Sequence, residues 1–289
     1  MTEANNTANA EQLEYWNGEA GERWAKEDDM MARLLAPIAS DLIEHASPEG
    51  CHSAIDIGCG GGSQSLLLAE RLGPEARVLG VDISGPLLEV ARARAAAAPA
   101  TAAPMTFVQA DATSHPFEPG AHDLLFSRFG VMFFEDPQAA FSNLRAALNE
   151  SGRLAFSCWQ SLRDNAWVWL SVEAALRFVP PPEAVDPEAP GPFSFAEPAR
   201  VEAILAAAGF TDIAIEAHPV QMRWAAADTL EDNVLGMMQI GPVSRLLQGQ
   251  DQATCDAVSA AVVDAMREFY DGEALNLPGQ TWFVTASAA

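Results

Sequence analysis

The sequence predicts an α/β fold built on a mostly parallel sheet, and three observations favour it. Five short apolar segments alternate with helical segments between residues 53 and 158. A glycine-rich turn, residues 58–62, joins the first apolar segment directly to a helix. Acidic or polar residues stand at the carboxyl ends of the first four apolar segments. Ligands bind at this edge of open α/β sheets, so the same residues predict the site.

The glycine turn follows a strand that contains Asp56 and reads Gly58-Cys59-Gly60-Gly61-Gly62-Ser63. Glycine lets the backbone take positive φ and lie against a ligand, and the helix behind it offers free N–H groups. The dinucleotide fingerprint would place its third glycine at position 63, which is Ser63. The spacing fits Asp-x-Gly-x-Gly-x-Gly instead. A carboxylate there suits a cationic cofactor and would repel a pyrophosphate.

Two further acids follow the second and third predicted strands, at Asp82 and Asp111. Asp82 lies about twenty residues beyond the glycines, where an acid holds the ribose hydroxyls in nucleotide-binding α/β folds. A carboxylate accepts two hydrogen bonds and therefore suits a diol. By itself this acid fits NAD as well as other adenosine cofactors.

Together these motifs resemble those of class I S-adenosylmethionine (SAM)-dependent methyltransferases, in their ubiquinone/menaquinone-biosynthesis-like branch. The resemblance is closest over residues 10–160. It implies a Rossmann-like, seven-stranded, mostly parallel sheet whose last strand is antiparallel, with helices on both faces and an inserted helical cap. The cofactor-binding residues that we expect are Trp16, Trp24, Asp56, Gly58, Cys59, Gly60, Gly62, Asp82, Ile83, Asp111, Ala112, Ser127 and Arg128.

The resemblance also suggests roles for individual residues. In the family, the acid at Asp111 takes the adenine amino group, and the backbone N–H of Ala112 takes a ring nitrogen. Trp16 and Trp24 fit either a lid over the cofactor or a staple that holds a helix to the sheet.

Candidate catalytic residues are fewer. Arg128 follows the fourth strand and fits either an anchor for an acidic acceptor or a structural ion pair. His218 is placed just after the sixth strand and is the only plausible general base. Phe129 and Trp159 are further candidates to line the acceptor pocket.

Residues 1–48 are expected to form an N-terminal helical lid, with a disordered tail over residues 1–10. Residues 49–289 are expected to form the Rossmann-like domain, with helical insertions at about 160–195 and 224–275.

The net charge and the residue composition limit the classes of partner that the protein can be expected to bind. The net charge is −24, and Lys26 is the only lysine, so nucleic acids and anionic membranes are disfavoured. No His, Cys and carboxylate spacing predicts a metal site. Four widely spaced cysteines and the lack of an apolar leader or a membrane-length apolar run favour a reduced, cytoplasmic protein. The choice between a monomer and a homodimer stays open.

The function predicted is SAM-dependent methyl transfer to a small, apolar or aromatic metabolite, with S-adenosylhomocysteine (SAH) as the second product and no metal. The O-, C- or N-acceptor atom stays open. One alternative is a SAM-fold protein that binds SAM or a metabolite without methylating it. An NAD-dependent oxidoreductase is a weaker alternative, because Ser63 breaks the fingerprint and no Tyr/Lys pair for hydride chemistry is evident.

Overall fold

The computed structural model describes residues 10–182, 186–239 and 241–289. Residues 1–9 of the predicted disordered tail lie outside the described residues. The strands are β1 (Ser53–Ile57), β2 (Arg77–Asp82), β3 (Met105–Gln109), β4 (His122–Arg128), β5 (Leu148–Trp159), β6 (Thr211–Trp224) and β7 (Leu275–Ser287). The helices are α1 (Ala10–Asn17), α2 (Glu19–Lys26), α3 (Asp28–Ala46), α4 (Ser63–Leu72), α5 (Gly85–Ala96), α6 (Pro137–Ala147), α7 (Ala166–Ala175), α8 (Pro198–Ala207), α9 (Leu230–Met238), α10 (Pro242–Leu246) and α11 (Gln252–Met266).

The strands form one seven-stranded sheet in the order β3-β2-β1-β4-β5-β7-β6. Strand β1 pairs in parallel with β2 and β4, β2 with β3, and β4 with β5. Strand β7 runs antiparallel to β5. The N–H of Ala288 donates to the carbonyl of Gly152, whereas that of Gln160 donates to the carbonyl of Gln280, so β7 runs backward as β5 advances. The predicted fold class is therefore confirmed.

The chain divides into two compact units. The first comprises residues 1–158, 188–217 and 282–289, and the second comprises residues 159–187 and 218–281. In the second unit, α11 packs against α7 and α9. The domain division expected from the sequence stays a prediction.

The core of the first unit explains why these segments form strands. All five residues of β1 are buried, and Leu124, Leu125 and Phe126 of β4 are fully buried. A central strand covered on both faces is expected to be apolar throughout rather than alternating. An aromatic cluster packs beside it, in which the Phe141 ring lies 5.7 Å from that of Phe156.

The sixth strand is longer than the sequence interpretation allowed. His218 lies inside β6 rather than after it, so that placement was wrong. Pro219 looks like a terminator because proline lacks an N–H for the ladder. However, β6 is an edge strand, where one side of the backbone needs no partner and proline is tolerated.

Among the described residues, no helix is both long and apolar enough to cross a membrane.

Candidate functional site

The glycine turn forms a cradle whose shape depends on two glycines. Gly58 has φ +64°, and a Cβ there would lie 2.5 Å from the Cα of Gly130, so backbone packs on backbone. Gly60 has φ +53°, but a Cβ there would meet nothing within 4 Å. The turn is therefore tight on its inner side and open at Gly60, where a ligand can approach the backbone.

Asp56 lies beneath this turn and is fully buried. Its carboxylate accepts hydrogen bonds from Gln64 Nε2 at 3.1 Å and from Ser65 Oγ at 2.5 Å. Burial raises the pKa of Asp56 to about 7, although these two bonds and the positive charge of Arg128 act in the opposite direction. Asp56 thus fastens the first turn of α4, and with it the helix end that faces the cradle.

Asp82 closes the cradle from the end of β2. Its Oδ2 accepts from the N–H of Gly60 and its Oδ1 from the N–H of Ser84, both at 2.8 Å. Burial raises the pKa of Asp82, and the backbone bonds partly offset this. Each oxygen keeps a further lone-pair site, so Asp82 can hold the turn and still accept from a ligand hydroxyl.

Cys59 points into the interior. Its side chain is buried, and its pKa is raised well above the usual range by burial and by the nearby charges of Asp82 and Asp56. The thiol therefore stays neutral and unreactive.

Hydrogen bonds hold the backbone in place at the end of β4 and just after β3. Asp111 Oδ1 accepts from the N–H of Thr113 at 2.8 Å. The carbonyl of Ala112 accepts from Asn143 Nδ2 of α6 at 2.8 Å, and no sequence pattern indicates this bond between residues 31 positions apart. The hydroxyl of Ser127 donates to the carbonyl of Ile57 at 2.7 Å and so ties β4 to β1.

Helices α1 and α2 are attached at the end of β2. The hydroxyl of Ser84 donates to the carbonyl of Trp16 at 2.8 Å. Asn17 donates to the carbonyl of Ile83 at 2.9 Å and accepts from the N–H of Gly85 at 2.9 Å. Asn17 was not singled out from the sequence, because a polar helix residue carries no signal of such a bond.

The two predicted tryptophans lie together. The ring centroid of Trp16 is 6.0 Å from that of Trp24 and 5.4 Å, edge to face, from that of Phe133. Phe133 belongs to the 3₁₀ turn that follows β4. The structure thus joins the N-terminal helices to the ends of both β2 and β4.

Arg128 ends β4 on the face of the sheet that carries Asp56. Its Nη2 donates to Gln64 Oε1 at 2.8 Å. Burial lowers the pKa of Arg128 to about 10, and the negative charges of Asp56 and Asp28 oppose the shift. The guanidinium stays protonated at neutral pH. The next residue, Phe129, has φ +67°, a conformation that is strained for a bulky side chain.

His218 and Trp159 belong to the second unit. The carbonyl of His218 accepts from the hydroxyl of Thr281 at 3.0 Å. The ring of Trp159 lies 5.1 Å from that of Trp167. The first unit brings the predicted cofactor residues together, whereas the roles of His218 and Trp159 stay predictions.

Within residues 10–182, 186–239 and 241–289, no three His, Cys, Asp or Glu side chains are grouped so as to hold a metal ion.

Comparison with known proteins identifies the domain that contains the cradle. Residues 55–156 match the protein family Methyltransf_11, described as a methyltransferase domain. The chain is 28% identical to a nocamycin O-methyltransferase of Saccharothrix syringae over 68% of this chain and 72% of that one. It is 33% identical to a demethylmenaquinone methyltransferase of Thermus thermophilus over 44% of this chain and 58% of that one.

Residues 55–156 are a class I SAM-dependent methyltransferase domain. The family resemblance and the enzyme class expected from the sequence are thereby confirmed. The fold of the chain also matches that of phosphoethanolamine N-methyltransferase 2 of Haemonchus contortus in complex with SAM. The TM-score is 0.52 at 19% identity, over 87% of this chain and 52% of that one.

Proposed function

We propose that the protein transfers a methyl group from SAM to a small-molecule acceptor. The observation that carries the proposal is the cradle between β1 and β2, which is open at Gly60 and closed by Asp82. A methyltransferase domain spans the same residues.

The residues of the cradle fit an adenosine cofactor with a cationic centre. Asp82 has acceptor capacity for a ribose diol beyond its two backbone bonds. Asp111 and the N–H of Ala112 are proposed to hold the adenine ring. Ser127 and Asp56 act indirectly, because the hydroxyl of Ser127 is bonded within the sheet and Asp56 is fully buried.

The N-terminal helices are proposed to cover this cofactor. Trp16 and Trp24 form one aromatic surface with Phe133, and α1 is bonded to the end of β2 beside Asp82. Such a cover would exclude water from the reacting centre.

SAM supplies an already activated methyl group. The protein therefore contributes mainly proximity and alignment, which can be worth several orders of magnitude in rate. A general base is needed only for an acceptor that does not readily lose its proton, and His218 is the proposed base. The acceptor atom stays open.

A small organic acceptor agrees with the relatives, whose names denote O-methylation of nocamycin and methylation of demethylmenaquinone. The net charge of −24 makes a polyanionic acceptor such as RNA unfavourable. Metal-independent chemistry and a cytoplasmic location are parts of the same proposal.

Calorimetry with SAM, SAH and NAD tests the cofactor. We expect binding of SAM and SAH and none of NAD. Asp82→Asn should weaken SAH binding by about tenfold or more, because an amide is a poorer partner for the diol. Binding of NAD without SAM would refute the proposal.

A metabolite panel assayed for SAH formation, with and without EDTA, tests the reaction. We expect turnover of a small molecule that EDTA leaves unchanged. Tight SAM binding with no turnover of any small molecule, RNA or protein would instead support the non-methylating alternative.

A further inference from the structure

Three buried polar atoms lack a hydrogen-bond partner on one face of the sheet. They are Nε and Nη1 of Arg128 and Oγ of Ser157, and they make up half of the six such side-chain atoms found among the described residues. Arg128 pairs with Ser157 in the register of β4 and β5. Register partners in neighbouring strands direct their side chains to the same face, so these atoms form one cluster at the carboxyl edge.

A structural ion pair does not account for this cluster. The acids whose charges raise the pKa of Arg128 are Asp56 and Asp28, and both accept hydrogen bonds from other residues. Asp56 accepts from Gln64 and Ser65, and Asp28 accepts from Arg94 at 2.7 Å. Arg128 instead donates from Nη2 to the neutral amide oxygen of Gln64.

Leaving such donors unpaired is costly. Buried polar groups are nearly always hydrogen-bonded, and an unpaired charged donor carries its full desolvation penalty. A fold that keeps an arginine in this state therefore points to a partner that arrives from outside. The two free N–H groups and the hydroxyl are all able to donate, so that partner is an acceptor.

We propose that Arg128 and Ser157 bind the carboxylate of a small molecule at the carboxyl ends of β4 and β5. The guanidinium can donate charge-assisted N–H bonds to a carboxylate from Nε and from Nη1, and the serine hydroxyl can donate a further bond. A doubly charged phosphate fits less well beside Asp56 and Asp28 in a chain of net charge −24. This proposal rests on the proposed function, because the cluster belongs to the same candidate site.

Two sources can supply that carboxylate: the methionine portion of the cofactor and an acidic acceptor. Binding of SAH and of 5′-deoxy-5′-methylthioadenosine, which lacks the amino-acid portion, separates them. If the cofactor is the source, Arg128→Gln lowers the affinity for SAH about tenfold or more and leaves that for methylthioadenosine unchanged.

If the acceptor is the source, Arg128→Gln leaves SAH binding unchanged. The wild-type protein should then bind benzoate or succinate in preference to benzamide or succinamide, and Arg128→Gln should abolish that preference. Ser157→Ala should give the same pattern more weakly in either case. Arg128→Lys keeps the charge but loses the separate Nε and Nη1 donors, and should retain only part of the affinity.

Arg145→Gln is the matched control, because its Nε is also buried without a partner, but it lies on α6 beside Gly209. It should alter neither ligand series, and thermal unfolding checks that every variant is folded. A folded Arg128→Gln protein with wild-type SAH affinity and an unchanged response to the acids would overturn the proposal. Failure of the wild type to bind SAH would refute the proposed function instead, and the acid series would still test the arginine.

Discussion

Asp28 and Arg94 form an ion pair of 2.7 Å in which both side chains are largely buried. The other amino group of Arg94 donates to the carbonyl of Gly61, and a Cβ at Gly61 would collide with the carboxylate of Asp28. The start of α3 and the last turn of α5 thus clamp the glycine turn from one side.

This clamp predicts that Asp28→Asn destabilises the fold. The substitution leaves Arg94 without its buried partner, so the free energy of unfolding in urea should fall by about 2–4 kcal/mol. Asp29→Asn is the matched control, since Asp29 also pairs with Arg94 but its side chain is 83% exposed. That variant should lose less than about 1 kcal/mol, and equal losses in the two variants would contradict the prediction.

Glycine substitutions should separate folding from binding. Gly58→Ala should destabilise strongly, by about 3 kcal/mol or more, because the new Cβ meets the backbone of Gly130. Gly60→Ala should cost only the strain of a positive φ, about 1 kcal/mol, yet weaken SAH binding about tenfold or more because the Cβ enters the cradle. Gly120→Ala, also at positive φ (+68°) with open space, provides the control for strain alone. Urea unfolding and calorimetry measure the two effects, and normal SAH binding by Gly60→Ala would count against the cradle.

The buried carboxyl of Asp56 predicts a stability that declines as pH rises. Its pKa is about 7 in the folded protein against an ordinary value of 3.8, so between these values the folded state retains a proton that the unfolded chain has lost. The contribution is complete below about pH 4 and is lost as pH passes 7. Relative to Asp56→Asn, the wild type should therefore lose on the order of 2 kcal/mol between pH 5 and pH 8. Urea unfolding at several pH values measures this, and a wild-type advantage that grows with pH would contradict it.

Removal of α1 and α2 should affect binding more than folding. Deleting residues 1–26 keeps Asp28 but removes Trp16, Trp24 and Asn17, so the proposed cover is lost while the clamp is retained. SAH affinity should fall about tenfold or more, with a smaller proportional loss in unfolding free energy. If the shortened chain binds SAH as the full chain does, the tryptophans only hold the helices in place.

The proposed base gives a kinetic prediction. His218→Ala should lower kcat by about 10²-fold or more without changing SAH affinity, if the acceptor needs its proton removed. His52→Ala, at an exposed position before β1, should leave both unchanged. Unchanged turnover in His218→Ala would leave proximity and alignment as the whole mechanism.

Sequence patterns were sufficient for the sheet and for the residues at its edge. The end of a strand is marked by residues that are adjacent in the sequence. An apolar run that ends at Asp82, or that is followed by Gly58, can therefore be recognised from the sequence alone. The clamp between Asp28 and Arg94 could not be recognised, because its partners are 66 residues apart in the chain. The same limit applies to Arg128, whose unpaired donors depend on what the surrounding acids already bind. His218 was placed after β6, but it lies inside this strand. Proline at position 219 would end a central strand, whereas an edge strand such as β6 tolerates it.

Lys26 is the last residue of α2, and its side chain is exposed. As the only lysine in the sequence, it is a natural single-site handle for amine-reactive dyes, the α-amino group aside. A fluorophore attached there would lie at the end of α2, within one helical turn of Trp24 along the chain. The native chain therefore permits time-resolved observation of α2 during ligand exchange without an engineered labelling site.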